Sequence, residues 1–91
     1  MRRLSWLAAA HGDYATAQAC GEKSLAICRE VGEQQGIATS LDALGGVALL
    51  QGQYEVAWAN AEESLAIGNA IDDRRGIARS LSILEIGRAH V

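Results

Sequence analysis

The chain has 91 residues, a formal net charge of −3 and 49% apolar residues, with ten Gly and neither Pro nor Phe. This length supports one small domain whose core is marginal if it stands alone. The charges are mixed along the chain, so no basic footprint points to nucleic acid. No apolar run approaches the roughly 18 residues that span a bilayer.

Taken in chain order, Met1-Arg2-Arg3 and the apolar stretch Leu4 to Ala10 are short for a signal peptide, whose apolar core runs about 7–15 residues. A first helix over 3–10 explains the same residues, and a cytoplasmic location is expected. The helix ends at His11-Gly12-Asp13, and a long one follows from Asp13 or Tyr14 to Val31. Its apolar stripe is Tyr14, Ala17, Gly21, Ser24-Leu25, Cys28 and Val31, at spacings of three and four. Cys20 and Cys28 lie eight residues apart on that helix, about 12 Å by the helical rise. That is too far for a disulfide, so both are expected to be buried small apolar residues. Neither they nor His11 compose a zinc site, and no metal or cofactor is expected.

Gly32 to Gly36 reads as a turn, and the third helix spans Ile37 to Leu50. Gly45-Gly46 lies inside it, where each Gly costs about 1 kcal/mol relative to Ala. Close approach of a neighbouring helix would account for Gly45, whereas Gly46 has no such account. Neither Gly belongs to a phosphate-binding loop, because no strand precedes them and no Gly-Lys-Ser/Thr follows. Gln51-Gly52-Gln53 is a second short turn, and the fourth helix covers Tyr54 to Ile71. Asp73 is an N-cap for a fifth from Arg74.

The chain repeats at an offset of 40. Gly12, Tyr14, Ala17, Glu22 and Ser24 to Ile27 recur as Gly52, Tyr54, Ala57, Glu62 and Ser64 to Ile67. Gly36-Ile37-Ala38 and Ser40-Leu41 return as Gly76-Ile77-Ala78 and Ser80-Leu81. A fixed period in this range marks stacked units that bury their apolar faces only against neighbours. The agreement stops at Leu84. The stretch Ile86 to Val91 is the translation, in one frame, of a common short-read sequencing adapter, with Glu85 as a hybrid codon. Residues 85–91 are therefore expected to be a non-native tail, and the chain a fragment cut within a helix. Genomic DNA encoding these residues without adapter sequence would refute that.

The second unit reads Leu41-x-x-Leu44-Gly45-x-x-Ala48-x-x-x-Gly52-x-Tyr54-x-x-Ala57, followed by Ala61, Ser64 and Leu65. This resembles the tetratricopeptide repeat. The resemblance covers residues 1–84 as about two and a half units (about 1–35, 36–75 and a partial 76–84). It implies an all-α solenoid of antiparallel helix pairs in a right-handed superhelix. The usual period is about 34 with a closing Pro. Here the period is 40 and Pro is absent, so the second helix of each pair is expected to run nearly two turns longer, as in the long repeats of large bacterial regulators.

The family's ligands lie in the concave groove lined by the first helix of each pair. By motif position this implies groove contacts at Thr39, Asp42, Gly46 and Leu49, with Arg2 and Trp6 in the first unit and Arg79 and Ser82 in the third. Arg79 beside Asp42 would clamp a peptide carboxylate or accept a basic side chain. The alternative is ordinary solvated charge on a helix face. Trp58 replaces Gln18 of the preceding unit. It is either an exposed interface anchor or packing on a helix edge. Glu62-Glu63 point to different faces and read as surface.

The resulting expectation is a scaffold that binds a protein or peptide segment and performs no chemistry. It contacts neither nucleic acid nor membrane, and its exposed repeat ends can self-associate. The alternative is the effector-sensing arm of a larger bacterial signalling ATPase or transcriptional regulator. No nucleophile, base and orienting group assemble from these residues into an enzyme.

Overall fold

A computed structural model describes residues 13–89, which form four helices. These are α1 (Tyr14–Val31), α2 (Gln34–Leu50), α3 (Tyr54–Ile71) and α4 (Arg74–Ala89). The expected helix over 3–10 lies outside the described residues. Connections of two or three residues reverse the chain each time, so successive helices pack antiparallel. Each helix packs on the next, and α2 packs on α4 as well. The result is all-α, with repeated helix pairs, as the spacing predicts.

The turns explain the period. The backbone N–H of Glu33, Gln53 and Asp73 donates to the carbonyl of Cys28, Ala48 and Gly68 at 2.9, 2.8 and 2.9 Å. Each bond spans five residues, the helix-ending pattern that needs one left-handed residue. Gly32 (φ 72°), Gly52 (φ 76°) and Asp72 (φ 54°) supply it, twenty residues apart. Two such stops per unit make a 40-residue repeat.

One boundary differs from the sequence reading. The turn expected over Gly32 to Gly36 closes at residue 33, and Gln34 to Gly36 belong to α2. Glu33 is the reason, since its carboxylate accepts from the Gly36 amide at 2.9 Å and caps the helix. The added length of the 40-residue unit is therefore not concentrated in the second helix, as α2 has 17 residues and α3 has 18.

The core centres on α2, which buries Ile37, Ala38, Leu41, Leu44, Val47 and Ala48 against Ala17 of α1 and Ala57 and Ala61 of α3. Small residues set the spacing. A Cβ on Gly21 would fall 2.8 Å from Leu44 Cδ2, so α1 lies directly on that leucine. A Cβ on Gly45 would lie 3.5 Å from both the Ala57 carbonyl and Ile83 Cδ1, where α3 and α4 converge. These are ordinary contact distances, so the close approach expected at Gly45 does not by itself require glycine, and Gly46 has nothing within 4 Å.

The stripe expected on α1 is only half realised. Ala17 and Gly21 are buried, but Leu25 and Cys28 are half-buried, Ser24 is exposed and Val31 is 69% exposed. Cys20 is likewise half-buried rather than buried, and both thiols are free. Among the described residues α2 is the main neighbour of α1, and it covers one side of that helix only.

Two hydroxyl contacts repeat at the seams between units. Ser24 Oγ lies 3.0 Å from Ser40 Oγ, and forty residues on Ser64 Oγ lies 3.0 Å from Ser80 Oγ. Each joins the second helix of one unit to the first helix of the next.

Candidate functional site

Residues three, four and seven apart share a helix face. On α2 that places Thr39, Asp42, Ala43, Gly46 and Leu49 together. On α4, forty residues later, the same positions are Arg79, Ser82, Ile83, Ile86 and Ala89. Because α2 packs beside α4, the two stripes line adjoining depressions. Thr39, Asp42, Ala43, Arg79, Ser82 and Ile83 line the first. Asp42, Ala43, Gly46, Leu49, Leu50 and Ile86 line the second, together with Val47. The expected groove contacts Thr39, Asp42, Gly46, Leu49, Arg79 and Ser82 thus line two adjoining depressions that share Asp42 and Ala43 and are taken together as the trough. Trp6 and Arg2 lie outside the described residues.

The trough is polar at one end and apolar at the other. At the polar end Arg79 Nε donates to Asp42 Oδ2 at 3.2 Å, and its Nη2 donates to Thr39 Oγ1 at 3.3 Å. The Asp42 side chain is 5% exposed and that of Arg79 is 43% exposed. Asp42 Oδ1 lies 3.0 Å from the hydroxyl of Ser80, which is fully buried. Ser80 has one proton and also lies 2.9 Å from the Gly76 carbonyl. The carboxylate is the strongest acceptor within reach and takes that proton. Ser64, also fully buried, donates to the Ala38 carbonyl at 2.9 Å.

This arrangement bears on each reading of the Asp42–Arg79 pair. Asp42 is not a free groove acid: its side chain is buried and each oxygen already accepts a hydrogen bond, which disfavours uptake of a basic side chain and leaves the carboxylate-clamping reading of Arg79 open. The pair is not ordinary solvated charge either. Only Arg79 keeps exposed polar surface, so the trough presents a cation at this end. The apolar end runs over Ala43, Gly46, Leu49 and Leu50 to Ile86, and Leu50 is 59% exposed.

Trp58 is half-buried and sits outside the trough. Its ring lies 5.6 Å from the Arg88 guanidinium carbon, within cation–π range, and packs on Gly87. It therefore packs on the edge of α4. Glu62 and Glu63 are exposed, and Glu63 pairs with Arg29 of α1 at 3.0 Å. Among the described residues no three His, Cys, Asp or Glu side chains converge to hold a metal. No helix there is long and apolar enough to cross a membrane.

Sequence reasoning missed Ala43 and Ile83 as lining residues and Ser80 as the partner of Asp42, and it set Ile86 aside with the tail expected over 85–91. The 40-residue offset carries the signal for Ala43 and Ile83, which are counterparts. The Ser80–Asp42 contact joins positions 38 apart, which no single-helix pattern brings together.

Stacked antiparallel helix pairs with a trough shared by their first helices define a helical repeat protein of the solenoid class. The family model for the tetratricopeptide repeat matches residues 2–84. The chain belongs to the tetratricopeptide repeat family, whose repeats are protein-interaction modules. No curated protein and no solved structure matches it.

Proposed function

We propose that the trough between α2 and α4 receives a segment of a partner protein, with an acidic group at the Arg79 end and apolar side chains toward Leu49. The observation that supports this reading is the polarity of the trough. Its exposed cation is held in place by a buried carboxylate, and the apolar floor begins one helical turn away. Asp42, which holds Arg79, and Leu49 are seven residues apart, about 10 Å along α2, which an extended segment covers in about three residues. A segment of the form acidic-x-x-apolar fits that span. The module binds and performs no chemical step.

An array of octapeptides that varies the spacing between one acidic and one apolar residue tests this. Peptides with a two- or three-residue gap are expected to bind best. Arg79→Glu and Leu49→Asp should each abolish that binding, and Trp58→Ala should leave it intact. Binding that survives both trough substitutions and is lost with Trp58→Ala would move the site to the α3–α4 edge.

A further inference from the structure

The start of α4 carries a charge pattern that the scaffold does not require. Arg75 and Arg79 stand four residues apart and share one face of the helix, separated by about 6 Å of helical rise. Their counterparts in the preceding unit are Gln35 and Thr39, which are uncharged and stay exposed with α3 and α4 packed on α2. Exposure at both positions is therefore compatible with a following unit, and the fold demands arginine at neither. From Arg74 to Leu84 the helix has three arginines and no acid, whereas α3 has Glu55, Glu62 and Glu63 and no cation. Positive charge thus gathers on a helix that lines the trough.

The Arg79 guanidinium leans back toward the turn that carries Arg75. Its Nη2, which donates to Thr39, lies 3.5 Å from where a Cβ on Gly76 would stand. The Thr39 hydroxyl spends its own proton on the Gln35 carbonyl at 2.9 Å, so toward Arg79 it is an acceptor that holds the guanidinium. Two of the five N–H groups of Arg79 are engaged by Asp42 and Thr39, leaving three free. Arg75 is exposed and makes no hydrogen bond or ion pair among the described residues. Two neighbouring carboxylates turn inward, Asp42 into the core and Asp73 with its Oδ2 buried against Gly76. A lone carboxylate is satisfied by one guanidinium edge. A phosphate monoester brings a charge of about −1.5 to −2 at pH 7 and three strong acceptor oxygens, enough for both arginines.

Given that the trough is the docking face, we infer that Arg75 and Arg79 together receive a phosphate monoester, so that the acidic group of the docked segment is a phosphorylated serine or threonine. Fluorescence anisotropy with the tightest acidic–apolar octapeptide tests it, its acidic position carrying Ser, Asp, two adjacent Asp or phosphoserine. The phosphoserine form should bind about tenfold tighter than the Asp form. Arg75→Gln, which installs the residue of the preceding unit, should remove that advantage and shift Asp binding by less than about twofold. Arg75→Lys should keep only part of it, since lysine retains the charge and loses the planar fork. Arg75 is exposed and unpaired, so the circular dichroism of both variants should match the parent. Equal binding of the Asp and phosphoserine forms would overturn the inference and leave the trough reading standing. The same holds for an advantage that survives Arg75→Gln, and for adjacent Asp residues that match phosphoserine. Failure of the trough reading itself shows differently, as binding of every form that is indifferent to Leu49→Asp, and the inference falls with it.

Discussion

A carboxylate is costly to bury unless its oxygens find donors, and at Asp42 the donors are the Ser80 hydroxyl and the Arg79 guanidinium. Replacing Ser80 by Ala leaves Oδ1 without its partner inside the core. The expected loss is about 1–3 kcal/mol in urea unfolding, the range for an orphaned buried polar atom. Gly46 predicts the opposite sign. A Cβ there meets nothing within 4 Å, and the residue lies in a helix interior. Gly46→Ala should stabilise by about 1 kcal/mol and raise Tm by about 4–8 °C in a domain of this size. Asp42 also shows where sequence reading stops. A charged residue on a helix face reads as solvated until the fold brings Ser80 and Arg79 across from another helix. Thr39, Leu49 and Ser82 were legible as trough positions because the family resemblance points to the first helix of each pair and the 40-residue offset carries one unit onto the next.

At the scale of the element, the helix stops were legible wherever Gly marked them and less so elsewhere. Gly32 and Gly52 announce left-handed residues, but Asp72 occupies the same conformation at the third stop. A side chain in that region costs about 1–2 kcal/mol for most residues, and less for Asp, whose short polar group bonds locally. Asp72→Gly is therefore expected to stabilise by up to about 1 kcal/mol, read as a rise in Tm with an unchanged helical spectrum. The start of α2 was hidden because Glu is not a usual cap, and only the geometry reveals its bond to Gly36. The start of α1 predicts a pH dependence. The Thr16 hydroxyl and then the Thr16 amide hold the Asp13 carboxyl below the usual carboxylate range. Its pKa is thus lower folded than unfolded, where it is about 3.9. The stabilisation is present above the unfolded value and is lost as pH falls through the folded one. An NMR titration should give Asp13 a lower midpoint than Asp in an unfolded peptide. Thr16→Val should move it back toward the ordinary value.

At the scale of the whole molecule, the architecture follows from a repeated unit that cannot bury its apolar face alone. The burial of Leu41 and the exposure of Leu81 are the same position seen with and without a covering helix. Periodicity made the helix pairs and the shared trough legible, because both depend on spacing. The polarity of the trough was not legible, because it depends on which charge is consumed inside the core. The binding face is tested most directly by backbone amide shifts of the labelled chain, titrated with the tightest acidic–apolar octapeptide from the array. Perturbations are predicted at Thr39, Ala43, Leu49, Arg79 and Ser82, with α1 and the Trp58 edge unmoved. Shifts centred on Trp58 or on the outer face of α1, with the trough residues silent, would contradict the account.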